Sequence, residues 1–457
     1  MNYRYIIDSA IAMCIERRSK AIPFLMIALL FSGAALFHSN AESLVFPPYL
    51  HSYGIRKAGP QHLFMLMGTR TFFDDPQGLA TTRLKSWDKP ETEKDDDEVI
   101  VYGVNAGRHQ ILFNISMYAL DIYGKMGSDT GCFLYPRGVA ANEDGDIYIA
   151  DSGNNRLVRL FNPKATIIWK GILTGDKDQG IFLNGPSRVA LDEAKNVYAT
   201  DPGNKRIVVF DNDGKVKTVI GSTGIGGIVF ENGPTALAVA DGAARWSFFR
   251  KEKFIFCADR NGSRVRRLTT TGTLEKEVNL PDGYCANYGA IDYYHNYWIT
   301  DSRKHCVLKF DHNLTLLDIF GSYGKGDNQF DQPRGITIYK RYGQTFIAER
   351  KGAQYFWVGT EMKSVSCSSN DNGVYTIAVD ATEYSFISYF IINDKDTSYL
   401  AKRYMVFPGK QTVTLHSNID VKNKTGIFKI EPTYSSYTYN SWTYPLKVNV
   451  NNQKNNK

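Results

Sequence analysis

Between residues 100 and 356 the chain alternates short apolar runs with compact polar clusters, and the combination repeats. Ile147-Tyr-Ile-Ala leads into Asp151-Ser-Gly-Asn-Asn and then Arg156-Leu-Val-Arg-Leu-Phe161; Val197-Tyr-Ala-Thr leads into Asp201-Pro-Gly-Asn-Lys and then Arg206-Ile-Val-Val-Phe210. Weaker copies end their first apolar run at Asn105, Asp259, Asp301 and Glu349. Aligned on that polar residue, successive copies lie 46, 50, 58, 42 and 48 residues apart, the period of a four-stranded propeller blade rather than of a helical repeat. Six copies predict six blades.

Within each copy the runs rich in Ile, Tyr, Phe and Val read as buried strands. The Asp-x-Gly-Asn cluster reads as a tight turn, because Gly and Asn tolerate positive φ and the carboxylate can accept backbone N–H bonds. The Asp is therefore assigned first to structure. Upstream of each pair stands a second signature, beginning at Pro76, Pro136, Pro186, Pro234, Asn287 and Pro333. Proline fixes φ, and the small residue that usually follows allows close approach at a crowded ring centre, so these are the innermost strands.

The sixth copy lacks an obvious fourth strand, while residues 62–68 offer one that belongs to no blade. Pairing that spare strand with the last blade would remove the open edges of the ring. The expected fold is all-β: a six-bladed propeller over 62–361 closed by an N-terminal strand, after a linker at 42–61. Past Met362, alternating runs at 374–379, 386–392, 411–415 and 426–430 with Asn-Asp and Pro-Gly turns predict a small β-sandwich over 364–450. Residues 451–457 read as a frayed tail. The second unit is similar to the immunoglobulin-like domains that follow repeats in exported bacterial proteins.

The Tyr-x-x-Asp-x-Gly-Asn-x-Arg pattern with the upstream Pro-x-Gly-Val resembles the NHL repeat, and the chain resembles secreted NHL-repeat proteins of six-bladed form over residues 62–361. The pattern departs at the Arg position, where Gln110, Cys306 and Gln354 stand, so a packing and turn-bracing role for this Arg is expected rather than a shared binding role. What the resemblance implies is a scaffold, since such propellers include protein binders, RNA binders and lyases.

With 457 residues, 43% apolar and 13% aromatic, the chain has ample material for a large β core. Arg17-Arg-Ser-Lys20, the apolar stretch 21–37 and Ser39-Asn-Ala41 predict an export signal over 1–41, or else an uncleaved anchor. The expected location is secreted, periplasmic or at the cell surface. Cys132, Cys257, Cys285, Cys306 and Cys367 would remain after cleavage, an odd number without paired spacing, so no disulfide framework is expected. A net charge of +7 spread over the length gives no nucleic-acid signature.

Strand counting also assigns faces. Blade-to-blade connections share one face with the Asp-Gly-Asn turns; the first-to-second and third-to-fourth loops share the other. On the latter, an acidic loop from Lys85 to Glu98 faces a basic aromatic loop whose Arg245, Trp246, Phe248, Phe249 and Arg250 are candidate partner-docking residues. A surface Trp and Phe pair needs cover, which the second domain could supply. On the former face Gln77, Arg137, Ser187, Thr235, Tyr288 and Arg334, with Arg188 beside them, ring the pore mouth. Guanidinium groups there favour a small anionic or carboxylate-bearing ligand, unless they simply pair with Asp151, Asp201 and Glu349.

No catalytic constellation stands out. His51, His62, His109, His295, His305, His312 and His416 lack zinc-site spacing and are read as not recurring at equivalent blade positions. Asp211-Asn-Asp-Gly214 and Asn142-Glu-Asp-Gly-Asp146 read as hairpin turns rather than calcium loops. No cofactor or metal is predicted. The favoured expectation is a non-catalytic module that binds a protein or an envelope polymer. The alternatives are a metal-dependent lyase or lactonase-type enzyme, and a glycan binder using the aromatics of 434–444.

Overall fold

The computed structural model describes residues 43–46, 56–86, 99–116, 119–221, 228–259, 261–370, 373–393, 396–419, 424–433 and 441–450. The export-signal assignment at 1–41, the acidic residues 88–98 and most of the aromatic segment 434–444 lie outside the described residues.

Five four-stranded antiparallel sheets follow one another in chain order, and a sixth, of five strands, closes the ring. The second blade is representative, with Pro136–Ala141, Asp146–Asp151, Arg156–Phe161 and Ile168–Leu173 running from centre to rim. Its second strand is buried at every position and its outer strand alternates exposed and covered residues. Interior strands are pressed between neighbouring blades on both faces, so they read as unbroken apolar runs; the rim strand meets water on one side. Separate apolar layers fill the successive blade junctions, such as Phe256, Tyr297 and Leu308 between blades four and five.

The junction between blades six and one differs. Its small apolar cluster of Val99, Tyr339 and Tyr342 is supplemented by polar contacts: Gly335 N–H donates to Gln77 O at 3.1 Å and Thr81 N–H to Thr337 Oγ1 at 3.1 Å. A Cβ on Gly335 would lie 2.2 Å from the Gln77 carbonyl oxygen, so the small residue in this signature does serve close approach between inner strands.

Residues 62–68 are not the strand expected. Pro60–Met67 is an α-helix burying Leu63 and Met67, four positions apart as a helical face requires. Pro60 at its first turn and Gly68 at φ 58° after its end are helix punctuation, which the apolar run itself concealed. The outer side of blade six is paired instead by Leu44–Val45 against Val358 and Trp357, and by Lys57–Ala58 against Gln354 and Ala353. Both short strands fall in the stretch expected to be a linker.

The C-terminal unit has seven strands, in the order Asp396–Val406, Ser385–Asn393, Thr425–Pro432, Trp442–Val450, Met362–Ser369, Val374–Ala381, Gly409–His416. Trp442–Val450 pairs antiparallel with Thr425–Pro432 through its first part and parallel with Met362–Ser369 through its last, where Val448 faces Cys367. Every second residue of Val374–Ala381 and of Thr425–Pro432 is buried, so Ile377, Val379, Phe428 and Ile430 enter one core.

This unit packs on blade five. Tyr294 and Tyr384 stack with centroids 3.9 Å apart, and the Tyr294 and Thr433 hydroxyls are hydrogen-bonded. Beneath them Lys309 Nζ lies 2.5 Å from Glu383 Oε2 and donates to Thr382 O at 2.7 Å.

Candidate binding face at the ring centre

The polar residue that ends each second strand does the same work in all six blades. Asn105, Asp151, Asp201, Asp259, Asp301 and Glu349 each accept a backbone N–H from the connection entering their own blade, from Asp74, Leu134, Asn184, Glu231, Cys285 and Asp331 respectively. In blades two and three the second carboxylate oxygen takes an arginine: Arg156 Nε at 2.8 Å from Asp151 and Arg206 Nε at 2.8 Å from Asp201. Gln354 replaces the Arg in blade six and donates to Glu349. Arg at this position therefore braces a turn, as expected, and amide substitution preserves the function.

The turn differs from expectation in one detail. In blades one, two, three and five positive φ falls on the fourth residue after the strand-ending polar one, at 57° for His109, 52° for Asn155, 54° for Lys205 and 57° for His305, whereas in blade four it falls on Asn261 and Gly262. Gly153 is required for another reason: its Cβ would stand 2.6 Å from the Leu134 carbonyl oxygen, against which its N–H bonds at 2.8 Å.

Those left-handed residues also clasp neighbouring blades. His109 Nδ1 accepts the Tyr135 N–H at 3.0 Å, Asn155 Oδ1 the Gly185 N–H at 2.8 Å, and His305 Nδ1 the Gln332 N–H at 3.0 Å. Each donor immediately precedes the proline that opens the next inner strand. Contrary to the sequence reading, then, His109 and His305 recur at equivalent positions of blades one and five. Counting from the strand-ending polar residue, rather than scanning for His motifs, would have found them.

The pore-mouth candidates divide. Tyr288 reaches across the centre from blade five; its hydroxyl donates to Gln77 Oε1 at 2.6 Å and lies 3.4 Å from Arg137 O. Arg188 crosses from blade three, with its Cζ 3.5 Å from the Tyr288 ring centroid and its Nε donating to Asn287 O at 2.9 Å. These three side chains cross-brace the ring. Ser187 shares a hydrogen bond with Thr200, and Thr235 bonds to Ala286 O, so both are absorbed into the scaffold. Arg334 pairs with Asp75 and Pro76 O, and Arg137 is exposed. The mouth arginines do not pair with Asp151, Asp201 or Glu349, because those carboxylates already have partners inside their own turns. Burial draws the Arg188 guanidinium below its ordinary value, and the Arg137 charge adds to that. Burial likewise raises the Tyr288 phenol, so it stays a neutral donor.

The basic aromatic loop faces inward on the molecule's own surfaces. Phe249 packs on His312 and His295 with centroids 4.4 and 5.7 Å away, and Phe248 on Tyr294 and Tyr384 at 5.1 and 5.9 Å. Tyr384 belongs to the C-terminal unit, which thus supplies part of the cover. Trp246 lies between the guanidiniums of Arg245 and Arg341, each 4.9 Å from its ring, and Arg250 bonds to the carbonyls of Ala244 and Arg245. Arg245, Phe248 and Arg250 remain exposed, whereas Trp246 and Phe249 are half-buried.

All five described cysteines are unbridged and buried, and Cys257 has the core position expected of a small hydrophobe.

The molecule is thus a six-bladed all-β propeller with a repeated, self-satisfied turn. Residues 133–160 match the family model of the NHL repeat. Over 96 residues the chain is 38% identical to human NHL repeat-containing protein 3, covering 20% of this chain and 26% of that protein. The mouse protein of the same name is 32% identical over 118 residues, 24% of this chain and 33% of its own length. The chain therefore spans about a quarter to a third of the curated relatives it matches. Solved structures similar to it include virginiamycin B lyase from Staphylococcus aureus, with TM-score 0.39 and 14% identity over 56% of this chain and 76% of that one. A gluconolactonase from Xanthomonas campestris has TM-score 0.44 and 12% identity over 72% of this chain and 99% of that one. Likeness at that level bears on neither activity nor ligand.

Proposed function

We propose that the chain is an exported, non-catalytic binding module whose docking face is the one carrying the blade-to-blade connections, and that its occupant is a protein. The distribution of exposed apolar side chains supports this reading. Phe72, Met126, Phe182, Val229 and Tyr323 are all more than half exposed, and each stands in the segment entering a different inner strand, those of blades one, two, three, four and six. Large apolar groups held in water around one face of a ring suit a partner that covers them together. The residues that recur in every blade are engaged in turn hydrogen bonds, which leaves surface shape and charge to carry the biology. Export rests on the basic, apolar and small-residue pattern of 17–41. The C-terminal strand order, with its last strand joining two antiparallel groups, supports an immunoglobulin-like sandwich.

The test replaces Met126, Phe182 and Tyr323 together with Ser, with Ile168→Ser/Ile172→Ser on the exposed rim strand of blade two as control. A partner identified with the wild-type chain should be retained by the control and lost by the triple variant at an unchanged melting temperature. Equal retention by both would sink the reading, and turnover of a lactone on addition of a divalent ion would replace it with the enzymatic alternative.

A further inference from the structure

Five of the six inner strands carry Gly or Ala two residues after their opening Pro or Asn: Gly78, Gly138, Ala236, Gly289 and Gly335. Blade three alone places an arginine there. Arg188 is only 9% exposed, and its side-chain hydrogen bonds go to carbonyl oxygens, those of Asn287 and Ser187, both at 2.9 Å. Among the described residues neither Arg188 nor Arg137 pairs with a carboxylate, and the Arg137 carbonyl oxygen lies 3.4 Å from the hydroxyl of Tyr288, the ring that Arg188 covers. Arg334 is different, because Asp75 holds it.

A guanidinium at the tightest point of the ring, shielded from water and lacking a counter-ion, carries a desolvation cost that carbonyl hydrogen bonds and stacking on Tyr288 offset only in part. A second cation beside it raises that cost. An oxyanion removes both penalties at once, since guanidinium groups present paired N–H donors that match carboxylate and phosphate oxygens. We infer that the ring centre holds a site for a compact oxyanion, carboxylate or phosphate, bound by Arg188 and Arg137 beside the Tyr288 hydroxyl. The inference rests on reading this face as the docking face. Its occupant is either a free ion or an oxyanion presented by the docked partner.

The full chain is titrated with inorganic phosphate against chloride at matched ionic strength, following the thermal midpoint and the heat of binding. The wild-type midpoint should rise saturably. Arg137→Gln should weaken the apparent affinity at least tenfold, and Arg350→Gln, an exposed arginine of the same face paired with Asp331, should behave as wild type. Arg188→Met should show no phosphate response, so that its deficit against wild type is larger in phosphate than in chloride. The inference is overturned by a response that does not saturate, by equal responses of Arg137→Gln and Arg350→Gln, or by an Arg188→Met variant destabilised equally in both salts, which is what a brace alone would give. Partner capture in saturating phosphate separates the two sources: competition identifies a presented oxyanion, and undiminished capture a free one. Loss of the phosphate response with rim-dependent capture intact would remove this site while leaving the docking face standing.

Discussion

Lys309 of blade five and Glu383 of the C-terminal unit meet at 2.5 Å with neither side chain more than 1% exposed. Asn296 donates to both Glu383 and Asp292, and Trp298 Nε1 donates to Asp292 Oδ2 at 2.8 Å. Glu383 therefore holds the ammonium across the joint, and Asn296 ties it to the buried Asp292 carboxyl. Removing Glu383 alone strands a buried ammonium, so Glu383→Ala should cost about 3–5 kcal/mol in urea unfolding. The double replacement Lys309→Met/Glu383→Leu should cost much less than the sum of the two single changes. Additive losses would show that the pair is not coupled.

Burial raises Glu383 to about 7 from its ordinary 4.5, and raises Asp292 as well. A carboxyl whose folded pKa exceeds its unfolded value binds more protons when folded, so its contribution to stability is full below the unfolded pKa and is lost as pH rises to the folded one. Unfolding midpoints should therefore show a component that falls between pH about 4.5 and 7 and is reduced in Glu383→Gln, which leaves only the Asp292 contribution. A wild-type profile identical in slope to that variant would contradict this.

Histidine and asparagine serve the same clasp in blades one and two. Accordingly His109→Asn should be tolerated, whereas His109→Ala leaves the Tyr135 N–H without its acceptor and should cost roughly 1 kcal/mol. Burial lowers the His109 pKa from 6.5. The sign is opposite to that of Glu383: this contribution is present above pH 6.5 and declines as pH falls below it. His109→Asn should abolish that acid-side component, and persistence of the full component in the variant would remove the clasp as its origin.

A Cβ on Gly335 would stand 2.2 Å from the Gln77 carbonyl oxygen of blade one. Gly335→Ala must push blades six and one apart at the junction with the smallest apolar cluster described, so it should destabilise by roughly 1–3 kcal/mol. Calorimetry of this variant beside Gly326→Ala, whose only close neighbour is the flexible end of the Gln329 side chain, is the comparison. Equal melting temperatures would mean the ring absorbs the extra atom.

Periodicity alone determined the blades, their strand order, the structural role of Asp151 and its counterparts, and the buried place of Cys257, because all of these follow from local alternation and from turns whose partners lie within one blade. Contacts between distant parts of the chain were decided by tertiary structure. The apolar run at 62–68 suits a strand or a helix equally; Pro60 and Gly68 made it a helix, and Leu44–Val45 and Lys57–Ala58 took the edge of blade six. Gln77, Arg188 and Tyr288 lie in three different blades, so their cross-brace exists only once the ring is closed. Lys309 and Glu383 are 74 residues apart, and their shared burial depends on how the C-terminal unit seats on blade five, which no pattern of neighbours along the chain encodes.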